Sequence, residues 1–305
     1  LLRTIRKEVK RIRPQLVYIT PNAKGGAFYK DFIVIQMLKR MGCKIVVHYH
    51  NKGVALRQNK MIDNQLYRIF FKNLKVILLA EALYKDVKKY VVHKDVLICP
   101  NGIPEALSEE PTAKRNNSIP HLLFLSNLLV DKGVFTLLDA CKILKEKGYS
   151  FVCNFVGGET AEIDSARFEQ EVKVRELNQI ITYEGKKYGK EKSESFQNAD
   201  IFVFPTYYSN ECFPLVLLEA MQQGLPCIST NEGGISEIII PDETGCIIKK
   251  KSPQELADKI EFLLNNPNKR IDMGNRGFER YKQLFSLKAF EQRIVSILNI
   301  AISRQ

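Results

Sequence analysis

No run of the chain approaches the roughly eighteen uninterrupted apolar residues that a membrane-spanning helix needs. Leu1 to Arg13 alternates apolar with basic residues and has no apolar core segment, which sets it apart from a secretory leader. The seven cysteines, an odd number, include no C-x-x-C pair. Cys141, Cys153 and Cys227 sit in apolar surroundings, the pattern of reduced core thiols in a cytoplasmic protein. No Asp-x-Asp or carboxylate cluster offers a seat for Mg²⁺ or Mn²⁺, and His48 with His50 lacks a third ligand at a metal-binding spacing, so no metal site is expected. There is no initiator Met either: the chain opens in a basic, helix-like stretch broken at Pro14, and an N-terminal part is expected to be missing.

What is present is enough for two domains with full cores: 305 residues, 45% of them hydrophobic. The net charge of +12 is uneven. Residues 1–104 hold 21 Lys and Arg against 6 Asp and Glu, and the remainder 25 against 28. A basic first part beside a near-neutral second suggests an anionic partner for the first, an acidic membrane leaflet or a phosphate-bearing acceptor. The plain alternative is solvated, lysine-rich helix faces. No nucleic-acid partner is expected, and the location expected is the cytoplasm, with peripheral contact at the inner membrane face.

The most informative stretch is Ala199–Gly234. An apolar run from Asp200 to Phe204 ends at Pro205, a polar loop follows, Pro214 opens a run of helix formers that stops at Gly224, and Pro226 to Thr230 is strand-like again. That is one βαβ unit. Its loop and helix start lie at the carboxyl end of a parallel strand, where open α/β sheets bind ligands. Glu211 stands in the loop and Glu219 inside the helix. The first helical N–H groups, around Leu215 and Val216, lack intrahelical partners and carry the positive end of the macrodipole, so a phosphate fits there. A diphosphate at the helix start, flanked by two polyhydroxyl groups, would use both carboxylates.

This spacing, Glu-x7-Glu followed by Ala-Met-x-x-Gly-x-Pro, resembles the donor-site signature of retaining glycosyltransferases of family 4. Phe124–Gly133 (FLSNLLVDKG) resembles that family's phosphate-binding strand-turn, and Phe155–Gly158 its second Gly turn. Gly233-Gly234 with Glu237 resembles the loop that closes over the donor, and Pro100–Ile103 the end of its first domain. The resemblance implies an α/β GT-B fold of two Rossmann-like domains facing a central cleft, with the first incomplete here. It divides the chain into an acceptor-side domain over 1–104, a linker over 105–120, a nucleotide-sugar domain over 121–286, and a last helix over 287–305 that crosses back to the first domain.

The resemblance also implies roles. Glu211 would orient the transferred sugar, Glu219 would hold the ribose, and Lys132 would meet the leaving diphosphate. His50, with Asn51, aligns with a family His that faces the sugar. Asn127, Cys212, Phe213, Pro214, Leu215, Val216, Gly157 and Gly185 would line the donor site. No cofactor is implied beyond the nucleotide diphosphate sugar itself, and the acceptor would be a glycan or a lipid-linked one. Two departures stand out. Many members carry Gly-Arg where this chain has Ser126-Asn127, and Glu-Gly-Phe-Gly where it has Glu211-Cys212-Phe213-Pro214. Pro214 suits the first helical position but removes one N–H from the anion site.

The rest of the chain reads as scaffold. Gln15–Thr20, Ala27–Met41 and Lys44–His50 form a strand, an amphipathic helix and a strand, with a weak phosphate-loop signal in Gly25-Gly26. His48 and His50, two apart at a strand end, point to one face. Arg57–Lys72 reads as a surface helix with a narrow apolar stripe, Val76–Ala80 as a buried strand, Glu81–Tyr90 as a helix and Val96–Cys99 as a strand. In the second part, Leu122–Ser126, Phe151–Val156 and Ile180–Tyr183 read as strands. Val134–Lys147 is a helix burying Val134, Leu137, Leu138, Cys141 and Leu144, and Arg167–Leu177 is a charged surface helix. Ser252 to Glu255 has the form of a capping box.

The reaction expected is metal-independent, retaining transfer of a sugar from a nucleotide diphosphate sugar, UDP favoured, to an acceptor hydroxyl. A glycosidase also uses two carboxylates, but a retaining one needs them about 5–5.5 Å apart, and eight residues spanning loop and helix separate Glu211 from Glu219 by roughly 10 Å of rise. A nucleotide-sugar epimerase of the same architecture, or a non-catalytic sugar or nucleotide binder, are the other rivals.

Overall fold

The structure, a computed structural model, describes residues 1–105 and 117–303. Most of the linker expected over 105–120 therefore lies outside the described residues. The chain forms two compact units. The first takes Leu1–Asn101, Asn210–Phe213 and Lys288–Gln305; the second takes Gly102–Ser209 and Pro214–Leu287.

The first unit is built on a parallel sheet of β1 (Val17–Ile19), β2 (Ile45–Tyr49), β3 (Lys75–Leu78) and β4 (Val96–Ile98), in that spatial order. Every residue of β2 is buried, His48 among them, as a strand of a parallel sheet covered on both faces should be. On one face, Phe28 of helix Gly25–Arg40 packs against Tyr67 and Phe70 of helix Met61–Phe71, with ring centroids 4.6 and 5.4 Å apart. Lys39 reaches across to the end of the second of these helices, its ammonium donating to the carbonyls of Ile69, Phe70 and Lys72 at 3.1, 2.7 and 2.6 Å. It satisfies carbonyls that a helix end leaves without partners. Burial, and secondarily the charge of Lys72, pull its pKa down to about 8. On the other face, helix Leu287–Ser303 lays Ile297 and Ala301 against Val46, Ile77 and Cys99, and Lys44 donates to its Ile302 carbonyl at 2.7 Å.

The second unit is a six-stranded parallel sheet of β5 (His121–Leu125), β6 (Val152–Val156), β7 (Ile181–Tyr183), β8 (Ile201–Phe204), β9 (Cys227–Thr230) and β10 (Gly245–Ile248), ordered β10-β9-β8-β5-β6-β7. The chain winds outward from β5 to β7, then returns to place β8 beside β5 and winds the other way. The strand order thus reverses between β5 and β8, the point at which open α/β sheets take ligands. Helix Val134–Glu146 buries the five residues its spacing predicts. Both sheets are wholly parallel among the described residues, and the fold is GT-B, with two Rossmann-like units.

Several local expectations need correction. The helix read over Arg57–Lys72 is two, Val54–Arg57 and Met61–Phe71, and the second is no surface element: Tyr67, Phe70 and Phe71 are buried, and Tyr67 Oη donates to the Ala23 carbonyl at 2.6 Å. Glu81–Tyr90 contributes only a 3₁₀ turn, Glu81–Leu83, and one helical turn, Tyr84–Val87. The capping box does not form. Ser252 caps helix Pro253–Asn265 through its backbone, while the Glu255 carboxylate accepts from Lys249 N–H at 3.0 Å. Helices Gly189–Gln197 and Pro267–Leu284 and strand β10 went unread.

Ile297 is 6% exposed and Val295, on the same helix, 56%. Ile297→Ala should lower unfolding free energy by about 2–4 kcal/mol through lost burial and a residual cavity, whereas Val295→Ala should stay within about 0.5 kcal/mol. Denaturant unfolding compares them, and equal effects would show that this helix does not depend on its contact with the β2–β3 face.

Candidate active site

In the second unit the site is made by the turns that leave the carboxyl ends of β5, β6 and β8. Between them the backbones pass too close for a side chain. At Gly133, with φ 88°, a β-carbon would collide with the Pro205 carbonyl, and at Gly157, with φ 152°, with the Ser126 carbonyl. Only glycine is comfortable at either place. The loops after β5 and β8 are also hydrogen-bonded, Tyr207 N–H and Thr206 Oγ1 both donating to the Asp131 carbonyl, at 2.8 and 3.3 Å.

Lys132 ends the 3₁₀ turn Val130–Lys132 in this first loop. Its ammonium lies over the rings of Tyr208 and Phe204, 4.7 and 5.3 Å from their centroids. Those aromatic faces, whose quadrupole attracts a cation, hold the Lys132 side chain at the strand end, the position from which the resemblance has it meet a diphosphate. Asn127 is exposed, and its Oδ1 accepts from Gly158 N–H at 3.3 Å. Gly185, in the turn after β7, accepts from Gly157 N–H at 2.8 Å. Asn127, Lys132, Gly157 and Gly185 therefore share the carboxyl edge of one sheet.

After β8 comes helix Leu215–Gln222. Pro214 is not its first residue but its N-cap, with ψ 117°, and its carbonyl accepts from Leu217 N–H at 3.2 Å. The proline ring thus lies outside the helix, and the opening N–H groups belong to Leu215, which is exposed, and Val216. Glu219 lies one turn on. Its Oε1 pairs with Lys192 Nζ at 2.6 Å, from helix Gly189–Gln197, and its Oε2 is buried with no hydrogen-bond partner among the described residues. Lys192 is a residue the sequence reading missed. Its only signal was the lysine-rich run after Gly185, which looks like solvated surface.

Glu211, Cys212 and Phe213 are buried and group with the first unit. There, Asn210 Oδ1 accepts from Lys24 Nζ at 2.8 Å, beside the Gly25-Gly26 turn. His50 follows β2 and is exposed, while Asn51 accepts from Ala23 N–H at 2.6 Å and donates to the Pro21 carbonyl. His48 and His50 do share a face, rings 4.2 Å apart. His48, though, is fully buried, with Nδ1 2.6 Å from Tyr18 Oη and Nε2 unpartnered among the described residues, so only His50 can meet a ligand. No group of three or more His, Cys, Asp or Glu side chains among the described residues could hold a metal ion.

Residues 107–280, more than half the chain and including all six strands of the second sheet, match the family described as glycosyl transferases group 1. The chain belongs to that family. Among curated relatives it is 27% identical over 176 residues to the capsular polysaccharide biosynthesis glycosyltransferase CapM of Staphylococcus aureus, a match covering 58% of this chain and 45% of CapM. It is 26% identical over 262 residues to the D-rhamnosyltransferase WbpZ of Pseudomonas aeruginosa, covering 83% and 66%. The matched stretches thus span under half the length of the first relatives. Among solved structures it resembles a glycosyltransferase from Rickettsia africae, with TM-score 0.82, 17% identity and coverage of 100% of this chain and 81% of that one. It also resembles Anabaena Alr3699/HepE solved in complex with UDP, with TM-score 0.82, 16% identity and coverage of 98% and 81%.

In this group 1 family member, His48 makes stability depend on pH. Burial, and then the nearby His50, push its pKa down to about 3, so below the ordinary 6.5 only the unfolded chain takes up the proton. Stability should fall as pH drops from about 6.5 toward about 3, by at most about 1.4 kcal/mol per pH unit from this ring. Thermal unfolding of wild type and His48→Gln at pH 7.5, 6 and 5 checks it: the gap between the two should narrow or invert on acidification, and parallel curves would refute the assignment.

Proposed function

We propose that this chain is the core of a retaining glycosyltransferase. It moves a sugar from a nucleoside diphosphate sugar, UDP favoured, to an acceptor hydroxyl of a glycan or lipid-linked acceptor during cell-surface polysaccharide synthesis. The observation that carries this reading is that the family match falls on the sheet whose reversal point bears Lys132, Asn127 and the helix start after Pro214. The names of CapM and WbpZ support the reaction class, and the UDP bound to Alr3699/HepE supports the nucleotide.

On this reading the ribose hydroxyls donate to Glu219, whose Oε2 is shielded and lacks a donor among the described residues. Leaving such an acceptor unsatisfied costs about 1–3 kcal/mol, so an incoming hydroxyl there is favoured. The diphosphate lies against the Leu215 and Val216 N–H groups and the Lys132 ammonium, which stabilise charge as the sugar–phosphate bond breaks. Glu211 holds the sugar by its hydroxyls, with His50 facing it; the acceptor oxygen bonds to the anomeric carbon on the face the phosphate leaves, the sugar–phosphate bond breaks, and the acceptor's proton passes to the departing phosphate oxygen. The fixed donors take the place of a divalent cation. Epimerisation, or binding without turnover, are the rival readings, and transfer to an acceptor separates them.

The two glutamates should differ kinetically. Ribose is unchanged in the reaction, so Glu219→Ala should raise the donor KM and the Kd for free UDP. The sugar gains positive charge in the transition state, so Glu211→Gln should lower kcat and leave UDP affinity nearly intact. Each effect should be roughly 10- to 150-fold, the worth of one hydrogen bond to a charged group. Assayed in EDTA, wild-type turnover should persist. Activity lost to EDTA and restored by Mg²⁺, or equal loss of UDP binding in both variants, would refute the roles given.

The partner proposed for the basic first part is an anionic membrane surface. Ile33 on helix Gly25–Arg40 and Met61, Ile62 and Ile69 on helix Met61–Phe71 are exposed beside exposed Lys30, Arg40, Lys60, Arg68 and Lys72. Asp63 is buried against Arg57, and Asp31 is engaged by Asn22. Vesicles containing phosphatidylglycerol should bind the protein and release it as salt rises, because the attraction is screened over about 8–10 Å. Equal binding to neutral vesicles, or none to either, would leave these lysines as solvated helix faces.

A further inference from the structure

Three turns converge at the carboxyl edge of the second sheet, those after β5, β6 and β7. They are joined by hydrogen bonds from Leu128 N–H to the Gly158 carbonyl at 2.7 Å, from Gly158 N–H to Asn127 Oδ1 at 3.3 Å and from Gly157 N–H to the Gly185 carbonyl at 2.8 Å. Over Gly158 the side chain of Lys186 lies where a β-carbon would stand. Its Cε would clash with that carbon, its Nζ is 3.2 Å from the same point, and Asn127 Oδ1 is 3.0 Å from it.

The surrounding lysines point to why this matters. Lys187 pairs with Glu184, Lys190 with Glu194 and Lys192 with Glu219. Lys186, next in sequence to one of these, makes no ion pair among the described residues. Instead it turns inward over a glycine, toward the side chain of Asn127. Asn127 is neutral, and its Oδ1 is already turned to a backbone N–H. Besides Lys132 in the loop after β5, this edge therefore has an N–H-bearing amide, a backbone bare of side chains at Gly157-Gly158, and the Lys186 ammonium, which together make a cradle for an anion.

We propose that Lys186 is a donor-binding residue whose ammonium meets the phosphates of the nucleotide over Gly158, supplying the positive charge that Asn127 does not. The inference rests on the donor reading above and adds a residue to it. Lys186 is exposed, so its replacement leaves the core untouched.

The test is calorimetric titration of wild type, Lys186→Gln, Lys186→Arg and the neighbouring control Lys190→Gln with UDP and with uridine. Lys186→Gln should raise the Kd for UDP about tenfold, as expected for one charge-assisted contact, and leave uridine unchanged. Lys186→Arg should stay within about threefold of wild type, since it keeps the charge, and Lys190→Gln should match wild type. Unchanged UDP affinity in Lys186→Gln overturns the proposal, as does a loss for uridine equal to that for UDP, which would place the side chain at the base. If wild type binds GDP or ADP instead, the same comparison runs with that nucleotide and its nucleoside. Wild type binding none of the three overturns the donor reading itself, an outcome distinct from a bound nucleotide that is indifferent to residue 186.

Discussion

Close passage of backbone at the carboxyl edge of the six-stranded sheet is the constraint on which the site depends. Gly133 lets the loop after β5 touch the Pro205 carbonyl, and Gly157 lets the turn after β6 touch the Ser126 carbonyl. Any β-carbon at these positions would force the loops apart by more than a soft contact can absorb, because the colliding atoms are backbone. With the loops fixed, Lys132 is brought over Tyr208 and Phe204, and the helix start after Pro214 opens beside them in the same sheet. The chemistry of the site follows from two absent side chains as much as from the charged ones present.

The strands were legible because a parallel strand covered on both faces is a short apolar run: β8 is one throughout, β5 from Leu122 to Leu125, and β2 opens on Ile45, Val46 and Val47. The βαβ unit around Glu211 and Glu219 was legible for the same reason, with Pro and Gly marking its turns. Helix Met61–Phe71 was misread because Tyr67, Phe70 and Phe71 are spaced among Asn, Gln and Arg, and only the neighbouring Phe28 and Tyr90 show how much of it is covered. Local pattern fixes which residues are apolar, not how much of a helix its neighbours bury. The helix Gly189–Gln197 was unread because it is almost wholly polar, with Phe196 its one buried residue. A single anchored aromatic gives no period to detect.

Side-chain roles were legible in kind but not in partnership. That Glu219 belongs to a ligand site could be argued from its position in a helix after a strand end. That it faces Lys192 could not, since 27 residues separate them and the contact depends on where a polar helix packs. His48 and His50 show the same limit. Their shared face follows from strand geometry, yet which of the two is closed off depends on Tyr18 and on the residues packed around β2.

The site holds its charges in arrangement. Glu219 Oε1 is paired with Lys192, and Lys132 rests on two aromatic rings. On the donor reading proposed above, a nucleotide would exchange interactions rather than add them to bare charges, and the net gain at each contact would be smaller than the gross hydrogen-bond energy. Preorganisation follows from the same arrangement. A carboxylate held on one oxygen by a lysine keeps its second oxygen in one direction, and an ammonium seated on aromatic rings loses less freedom on meeting a phosphate than a solvated one would. On the donor reading proposed above, the groups that would meet the leaving diphosphate are placed before it arrives, as electrostatic stabilisation of developing charge requires.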